Sequence, residues 1–207
     1  MAAHDFTRSI RFEHSGFDEQ DEFYRKVLNA EDICRTDYDS EPGRELQRKD
    51  VDVLLTLDGR QVKVSEKRRD RDYDDLLIEV YSKFPGTAGW LEHSEADSLA
   101  YFVPGKAYWI EMRQLKAFYG NILRPALPDT VFSRLVTGYP YRNASRGISV
   151  CMGGKKVDLR AIQAYNCPED GSGQWYTESV CVPFTVLEEY GVPVRKSVYD
   201  NNEYGIY

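Results

Sequence analysis

The pattern of apolar and polar positions is most regular in the stretch KDVDVLLTLDGRQVKVSEKR. Its two halves, Val51–Leu57 and Gln61–Arg68, are both rich in β-branched residues, which favour strands. Between them, Asp58-Gly59 is a typical two-residue turn, because both residues tolerate the positive φ angles of a type I′ turn. We therefore predict an antiparallel hairpin, around which the rest of the chain can be interpreted.

A two-residue turn fixes which residues face each other across the hairpin. Counting back from the turn, Asp52 lies opposite Ser65 and Asp50 lies opposite Lys67. Because side chains alternate between the faces of a strand, these four residues share one face. The other face is apolar and can enter a core, through Val51, Val53, Val62 and Val64.

The polar face of this hairpin has two interpretations. Carboxylates are the ligands that Mg²⁺ prefers, and a lysine beside them can steady an attacking water or a phosphate. The alternative is a solvated face with cross-strand ion pairs, since charged residues alternating with valines form the usual outer face of an antiparallel sheet.

Before the hairpin, Asp18–Ala30 predicts a helix with an acidic first turn and a buried stripe that includes Phe23 and Val27. The segment Glu31–Glu45, which contains SEPG, predicts a loop. After the hairpin, Leu76–Ser82 predicts a third strand. Glu79 is an acid inside that apolar strand, which is explained equally well by an edge position, by a salt bridge or by a functional role.

The rest of the chain alternates between short helical and strand patterns. These are a helix in Trp90–Ala100, strands at Tyr101–Val103 and Tyr108–Arg113, a helix at Leu115–Leu123, a second hairpin of Ile148–Met152 and Lys155–Leu159, a strand at Gln174–Val182, a helix at Pro183–Tyr190 and a tail at Val192–Tyr207. The pattern predicts an α+β fold with a mixed β-sheet and flanking helices. We expect residues 1–124 to form the core and residues 125–207 to form a C-terminal extension that packs on or completes the same domain.

Composition narrows the class of protein. The formal net charge is −7, which counts against tight non-specific binding to bare nucleic acid. Basic residues are nevertheless concentrated on one arm of the hairpin, at Arg60, Lys63, Lys67, Arg68, Arg69 and Arg71. No apolar run reaches membrane-spanning length and no apolar signal core is present near Met1, so we expect a soluble cytoplasmic protein with no membrane partner.

The cysteines and histidines are too scattered to predict a structural zinc site.

The hairpin and its surroundings resemble the PD-(D/E)XK nuclease-like superfamily. The resemblance rests on Asp52 early in one strand, on Ser65-Glu66-Lys67 late in the next, and on the acidic helix before them. The stretch GWLEHSEADSLAYFV is similar to a segment of phage-encoded members. The resemblance covers about residues 18–115 and implies a restriction-endonuclease-like fold.

In that superfamily two acids hold Mg²⁺ or Mn²⁺, and a lysine assists the attacking water. The resemblance implies that Asp52 is the first acid and Lys67 the lysine, whereas Ser65 stands where the second acid belongs. Asp50 or Glu79 could replace that acid, and Glu22 of the helix is a further candidate. The candidate catalytic residues are Asp52, Lys67 and Glu79. The candidate metal ligands are Asp50, Asp52 and Glu79. The candidate nucleic-acid-binding residues are Lys63, Arg68, Arg69 and Arg71.

The resemblance implies a metal-dependent DNA nuclease or a nuclease-derived DNA-processing protein, in the cytoplasm of a bacterial host if it is phage-encoded. The alternative is a catalytically inactive nuclease-fold module that binds nucleic acid or protein, or an acidic protein that inhibits a host enzyme. Ser65 and the net charge favour these alternatives, while the face shared by Asp50, Asp52 and Lys67 favours the enzyme. The sequence leaves the oligomeric state open.

Overall fold

The computed structural model describes residues 16–37, 39–133, 143–167, 173–200 and 203–206. In chain order, the strands are β1 (Asp32–Arg35), β2 (Val53–Leu57), β3 (Arg60–Arg68), β4 (Asp75–Lys83), β5 (Thr87–Ala88), β6 (Ser98–Val103), β7 (Lys106–Glu111), β8 (Ala144–Met152), β9 (Lys155–Asn166), β10 (Trp175–Pro183), β11 (Val194–Asp200) and β12 (Glu203–Ile206). The helices are α1 (Phe17–Lys26), α2 (Glu41–Arg48), α3 (Trp90–His93), α4 (Met112–Phe118), α5 (Arg124–Ala126), α6 (Thr130–Ser133) and α7 (Phe184–Glu189), and a π-helical turn, Tyr119–Leu123, follows α4. None of the described helices is long and apolar enough to cross a membrane.

The strands form two sheets, and the chain divides into two compact units that are each discontinuous in sequence. Among the described residues, one unit comprises 16–73, 93–115 and 188–206, and the other comprises 74–92 and 116–187. This division differs from the predicted boundary at residue 124, because the chain leaves the first unit after β3 and returns to it before β6. The α+β class is confirmed.

The first unit is built on a seven-stranded mixed sheet with the order β1-β2-β3-β6-β7-β11-β12. Its neighbouring strands are antiparallel except for β3 and β6, which are parallel. The predicted neighbour of the hairpin, the strand that contains Glu79, is therefore not in this sheet. Strand β6 takes that place because its six residues are all buried and fit the sheet interior.

The predicted hairpin is confirmed. Strands β2 and β3 pair from Leu57 opposite Arg60 to Val53 opposite Val64. Asp58 and Gly59 adopt φ angles of 48° and 69°, as a type I′ turn requires. Strand β2 begins two residues later than predicted.

Helix α1 covers one face of the seven-stranded sheet. Phe23 and Tyr24 are almost completely buried, and each packs edge-on against Phe102 of β6, with ring centroids 5.5 and 6.0 Å apart. Val53 and Val64 of the hairpin belong to the same hydrophobic cluster. This packing agrees with the predicted buried faces of the helix and the hairpin. The helix ends at Lys26, earlier than predicted.

The segment Glu31–Glu45 is not the predicted loop, because it contains β1 and the start of α2. The residues SEPG are the beginning of α2: the Ser40 hydroxyl accepts a hydrogen bond from the Gly43 backbone N–H at 3.0 Å, and Pro42 lies in the first turn. The same residue types mark turns and helix N-termini, so the local pattern was ambiguous. The predicted tail at Val192–Tyr207 likewise contains strands, and β11 extends the sheet by pairing with β7.

The second unit is built on a five-stranded antiparallel sheet with the order β5-β4-β10-β9-β8. The second predicted hairpin is confirmed, with Met152 opposite Lys155 around Gly153-Gly154, and both of its strands are longer than predicted. The strand predicted at Leu76–Ser82 is β4, which lies between β5 and β10. The helix predicted in Trp90–Ala100 is shorter than expected: only α3 forms, and the last residues of the predicted segment belong to β6.

Candidate functional site

A cavity of about 230 Å³ opens in the seven-stranded unit. Four parts of the chain form its wall: α1, the end of β1 with the residues after it, α2, and the hairpin. Its lining residues are Phe17, Gln20, Arg35, Thr36, Asp37, Gln47, Asp52, Glu66, Lys67 and Arg68. Among the residues predicted as functional, the structure therefore brings Asp52, Lys67 and Arg68 to one cavity.

The predicted carboxylate–lysine group forms beside this cavity. The Lys67 ammonium lies 2.7 Å from Asp50 Oδ1 and 3.6 Å from Asp52 Oδ2, and it donates a hydrogen bond to Ser65 Oγ at 3.0 Å. Asp50 and Ser65 are buried, whereas the side chains of Asp52 and Lys67 are about one-third exposed. These residues therefore come together as expected, but Asp50 and Asp52 precede β2, and the strand pairing ends at Val53 opposite Val64, so the predicted pairs Asp52–Ser65 and Asp50–Lys67 are not part of the ladder. We call Asp50, Asp52, Ser65 and Lys67 the carboxylate–lysine group.

Asp50 is held by the C-terminal end of α2. Its backbone N–H donates to the Gln47 carbonyl, and the Val51 N–H donates to the Leu46 carbonyl, both at 3.0 Å. This pair of bonds is a Schellman cap, in which Asp50 occupies the left-handed position, with a φ of 55°. Glycine is the usual residue there, so an aspartate accepts a backbone cost that its side chain must offset. The side chain meets Lys67 through Oδ1, while Oδ2 is buried without a hydrogen-bond partner.

Asp52 lies just before β2 and is tied to β3 by its backbone and its side chain. Its N–H donates to the Val64 carbonyl at 2.9 Å, and its Oδ2 accepts a hydrogen bond from the Glu66 N–H at 2.7 Å. These two bonds fix the carboxylate at the mouth of the cavity. Both described contacts of the carboxylate use Oδ2, and the partly exposed side chain lines the cavity.

Glu66 also lines the cavity, although we did not predict it as a functional residue. Its Oε1 accepts a hydrogen bond from the Tyr24 hydroxyl at 2.6 Å, and its Oε2 lies 2.7 Å from Arg35 Nη1. Burial raises the pKa of the Glu66 carboxyl, and the neighbouring guanidinium opposes that shift. Glu66 therefore packs toward α1 and β1, on the side of the strand away from Ser65, as strand alternation requires.

Arg35 connects the wall of the cavity to α1. Its Nη2 lies 2.7 Å from Asp21 Oδ1, and its guanidinium lies 3.9 Å from the centre of the Phe17 ring. Arg35 was not predicted as a functional residue, because the sequence pattern of Glu31–Glu45 predicted a loop. A four-residue edge strand has too short a pattern to indicate which of its side chains face the hairpin.

The basic arm is divided among different environments. Arg68 lines the cavity and lies 3.7 Å from Glu19 of α1. Arg69 donates to the Tyr101 hydroxyl at 3.2 Å and lies over the Tyr73 ring, whereas Arg71 is exposed. The Lys63 backbone N–H donates to Asp97, and Lys63 is not among the residues that line the cavity. Arg68 is thus the predicted phosphate-binding residue that adjoins the carboxylate–lysine group.

Glu79 lies in the other unit, on β4 of the five-stranded sheet, opposite Ser179 of β10. Its backbone packs closely against Gly89, where a Cβ atom would lie 1.9 Å from the Glu79 carbonyl oxygen. Glu22 of α1 forms an ion pair with Lys26, one helical turn away. Of the acids considered as a replacement for the one missing at Ser65, Asp50 is the one that contacts Lys67.

The described residues contain no group of three or more histidine, cysteine, aspartate or glutamate side chains arranged to hold a metal ion. Two carboxylates are enough for Mg²⁺, which usually binds to one or two of them together with water and substrate phosphates. Asp50, whose Oδ2 is buried without a hydrogen-bond partner, and Asp52, which is partly exposed, are the two carboxylates that contact Lys67 among the described ion pairs, so they are the residues that could hold such an ion.

Comparisons with known proteins identify no relative of this chain: no family model matches, and neither the curated proteins nor the solved structures contain a significant match.

Proposed function

We propose that this protein is a metal-dependent phosphodiesterase that acts on DNA, a nuclease whose centre is the carboxylate–lysine group. The observation that carries the proposal is the convergence of Asp50 and Asp52 on the Lys67 ammonium. The mixed sheet, with the hairpin preceded by α1 and followed by a parallel neighbour, is compatible with a restriction-endonuclease-like fold.

Asp50 and Asp52 are the residues that would hold a divalent cation, either Mg²⁺ or Mn²⁺. The cation would neutralise charge on the phosphodiester and lower the pKa of bound water. The unusual backbone at Asp50 supports this role, since glycine would cap α2 with less strain. Aspartate at this position keeps a carboxylate beside Lys67 at the expense of local stability.

Lys67 and Arg68 provide the positive charge of the proposed site. The Lys67 ammonium has three donors and contacts both acids, so it is placed to orient an attacking water or a phosphate oxygen. The Arg68 guanidinium, at the cavity wall, can neutralise the neighbouring phosphate. Glu66 has a positioning role, because its carboxylate holds Arg35 against α1.

A second candidate function is a nuclease-fold binding module without catalysis. Ser65 stands at the position where the superfamily has an acid, and the Lys67 ammonium already pairs with both remaining carboxylates. An ammonium that stays between the acids would compete with a cation for them. Such a protein would still hold a nucleic-acid strand through Arg68 and its neighbours.

A cleavage assay separates these two candidates. The purified protein is incubated with single-stranded, duplex and branched DNA, with Mg²⁺, with Mn²⁺ or with EDTA. We expect metal-dependent cleavage that Asp52→Asn abolishes, because this change removes a negative charge at nearly constant volume. Lys67→Met should slow cleavage by about 10²-fold or more if the lysine acts on the attacking water.

Asp32→Asn is the matched control, since it makes the same chemical change at an exposed position on β1 of the same sheet. It should leave cleavage unchanged. No cleavage of any of these DNA substrates with either metal, by a protein that still binds DNA, would favour the binding module.

A further inference from the structure

The cavity extends beyond the carboxylate–lysine group, and this second part has features that the proposed chemistry does not use. Gln47 of α2 lines it with a side-chain amide whose Oε1 is buried and lacks a hydrogen-bond partner. The amide nitrogen of Gln47 makes only a long contact, 3.4 Å, with the Thr36 carbonyl. A buried acceptor without a donor is costly, so a ligand donor that reached this oxygen from the cavity would remove that cost.

Another part of the wall, formed by Phe17 and Arg35, offers a flat, polarisable surface. The Arg35 guanidinium lies 3.9 Å from the centre of the Phe17 ring, and its orientation is fixed by bonds to Glu66 and Asp21. Phe17 is half-buried and lines the cavity. Aromatic rings and guanidinium planes are the surfaces on which proteins stack unpaired bases.

The size of the cavity limits what can enter. A volume of about 230 Å³ is below the usual range for drug-sized ligands, yet it can hold one planar group. A base inside a duplex is stacked and paired, and must leave the helix before a pocket can enclose it. The cavity is therefore suited to a nucleotide that is already unpaired.

We propose that this cavity binds one unpaired nucleobase of the DNA strand, stacked on the Phe17–Arg35 surface and donating a hydrogen bond to Gln47 Oε1. Binding there brings the adjoining phosphate toward Asp52, Lys67 and Arg68, which line the same cavity. The substrate class is therefore DNA with a single-stranded or unpaired position. This inference rests on the proposed function, because it assigns the substrate of the same site.

The test is a binding measurement in EDTA, in which cleavage does not contribute. Fluorescence anisotropy compares three labelled DNAs of one sequence: a single strand, a duplex with one unpaired nucleotide and a fully paired duplex. We expect the first two to bind about tenfold or more tightly than the third, because stacking one base on an aromatic surface contributes a factor of this order.

Variants then assign that preference to the cavity. Phe17→Leu keeps an apolar side chain but removes the ring, and should lower the preference for unpaired DNA about tenfold. Gln47→Leu removes the acceptor and should lower it severalfold. Gln61→Leu makes the same change at an exposed position of the hairpin and should have no effect.

Equal affinity for paired and unpaired DNA, or an unchanged preference in both cavity variants, would overturn the inference. The proposed function can fail separately from it. A preference that depends on Phe17, in a protein that never cleaves DNA, would contradict the nuclease and support the base pocket. Metal-dependent cleavage without this preference would support the nuclease and contradict the base pocket.

Discussion

Glu66 and Glu178 are both buried in a sheet, but they differ in what surrounds their carboxylates. Glu66, in the seven-stranded sheet, is held by the Arg35 guanidinium and the Tyr24 hydroxyl. Glu178, in the five-stranded sheet, accepts one hydrogen bond from the Gln163 amide at 2.6 Å, and its Oε2 has no hydrogen-bond partner. Burial raises the pKa of both carboxyls, and that of Glu178 rises to about 7, although its hydrogen bond to Gln163 opposes the shift.

The difference shows why a buried acid alone does not identify a functional site. Around Glu66, the protein keeps opposite charges in contact, and these charges form a wall of the cavity. Around Glu178 it provides no cation among the described contacts, so the side chain stays protonated to higher pH and acts as a polar link between β9 and β10. Fixed charges of this kind beside a cavity suit the binding of a charged ligand.

The largest expected effect comes from removing the cation beside Glu66. Arg35→Met keeps the aliphatic bulk but removes the guanidinium that pairs with both Glu66 and Asp21, and we expect a loss of about 3–5 kcal/mol in the free energy of unfolding, measured with urea. Arg25→Met is the control, because the Arg25 side chain is 62% exposed and its ion pair with Asp21 is long, at 4.0 Å. This change should alter the free energy of unfolding by less than about 0.5 kcal/mol. A small loss of stability in Arg35→Met would mean that the ion pairs of Arg35 with Glu66 and Asp21 contribute little to the free energy of unfolding.

Glu178 should make stability depend on pH in the opposite direction to a salt-bridged acid. Between its ordinary pKa of 4.5 and its folded pKa of about 7, the folded protein binds more protons than the unfolded chain. The contribution of Glu178 to the free energy of unfolding is fully present below pH 4.5, and it falls by about 2–3 kcal/mol as the pH rises through about 7.

Urea unfolding measured from pH 4.5 to pH 8 tests this dependence. Glu178→Gln should remove that part of the slope, because glutamine does not titrate, whereas Glu188→Gln at an exposed position should retain it. An identical slope in Glu178→Gln and in the unmodified protein would show that other groups control it.

A smaller effect is expected from the tyrosine that supports Glu66. Tyr24→Phe removes the hydroxyl that donates to Glu66 at 2.6 Å, and we expect it to destabilise the protein by about 1.5–2 kcal/mol. In a protein that already carries Glu66→Gln, the same change should cost less, because the acceptor is then uncharged. A double-mutant cycle measures this difference, and strict additivity would contradict a direct coupling between the two side chains.

The smallest effect on stability is expected at Arg71, which is exposed on the basic arm. Arg71→Ala should change the free energy of unfolding by less than about 0.5 kcal/mol. If Arg71 contacts a phosphate, the same variant should lower the slope of log affinity against log salt by about 0.9 for duplex DNA. An unchanged slope would assign Arg71 to the solvated surface.

The local part of the candidate site was predictable from the sequence. The Asp58-Gly59 turn fixed the hairpin, and alternation along β3 placed Ser65 and Lys67 on one face. The contact between Asp50 and Lys67 was also expected, although Asp50 makes it from the C-terminal cap of α2 and not from a strand. Both inferences depend on residues close together in the chain, where turn chemistry and strand periodicity are sufficient.

The long-range parts were not predictable in this way. Strand β6 pairs with β3 after an excursion of about thirty residues into another sheet, so the strand that carries Glu79 is not the neighbour of β3 that the sequence indicated. Arg35 reaches Glu66 from a four-residue edge strand, which has almost no periodicity of its own. No local pattern encodes which distant strand completes a sheet, and the wall of the cavity depends on such pairings.

The central claim is that Asp50 and Asp52 form a site for a divalent cation, and titration of the protein with Mn²⁺ tests it most directly. Electron paramagnetic resonance of free Mn²⁺ reports binding without requiring catalysis. We predict saturable binding that Asp50→Asn and Asp52→Asn each weaken by about tenfold or more, and that Asp32→Asn leaves unchanged. Absence of saturable binding, or equal binding in all four proteins, would contradict the claim.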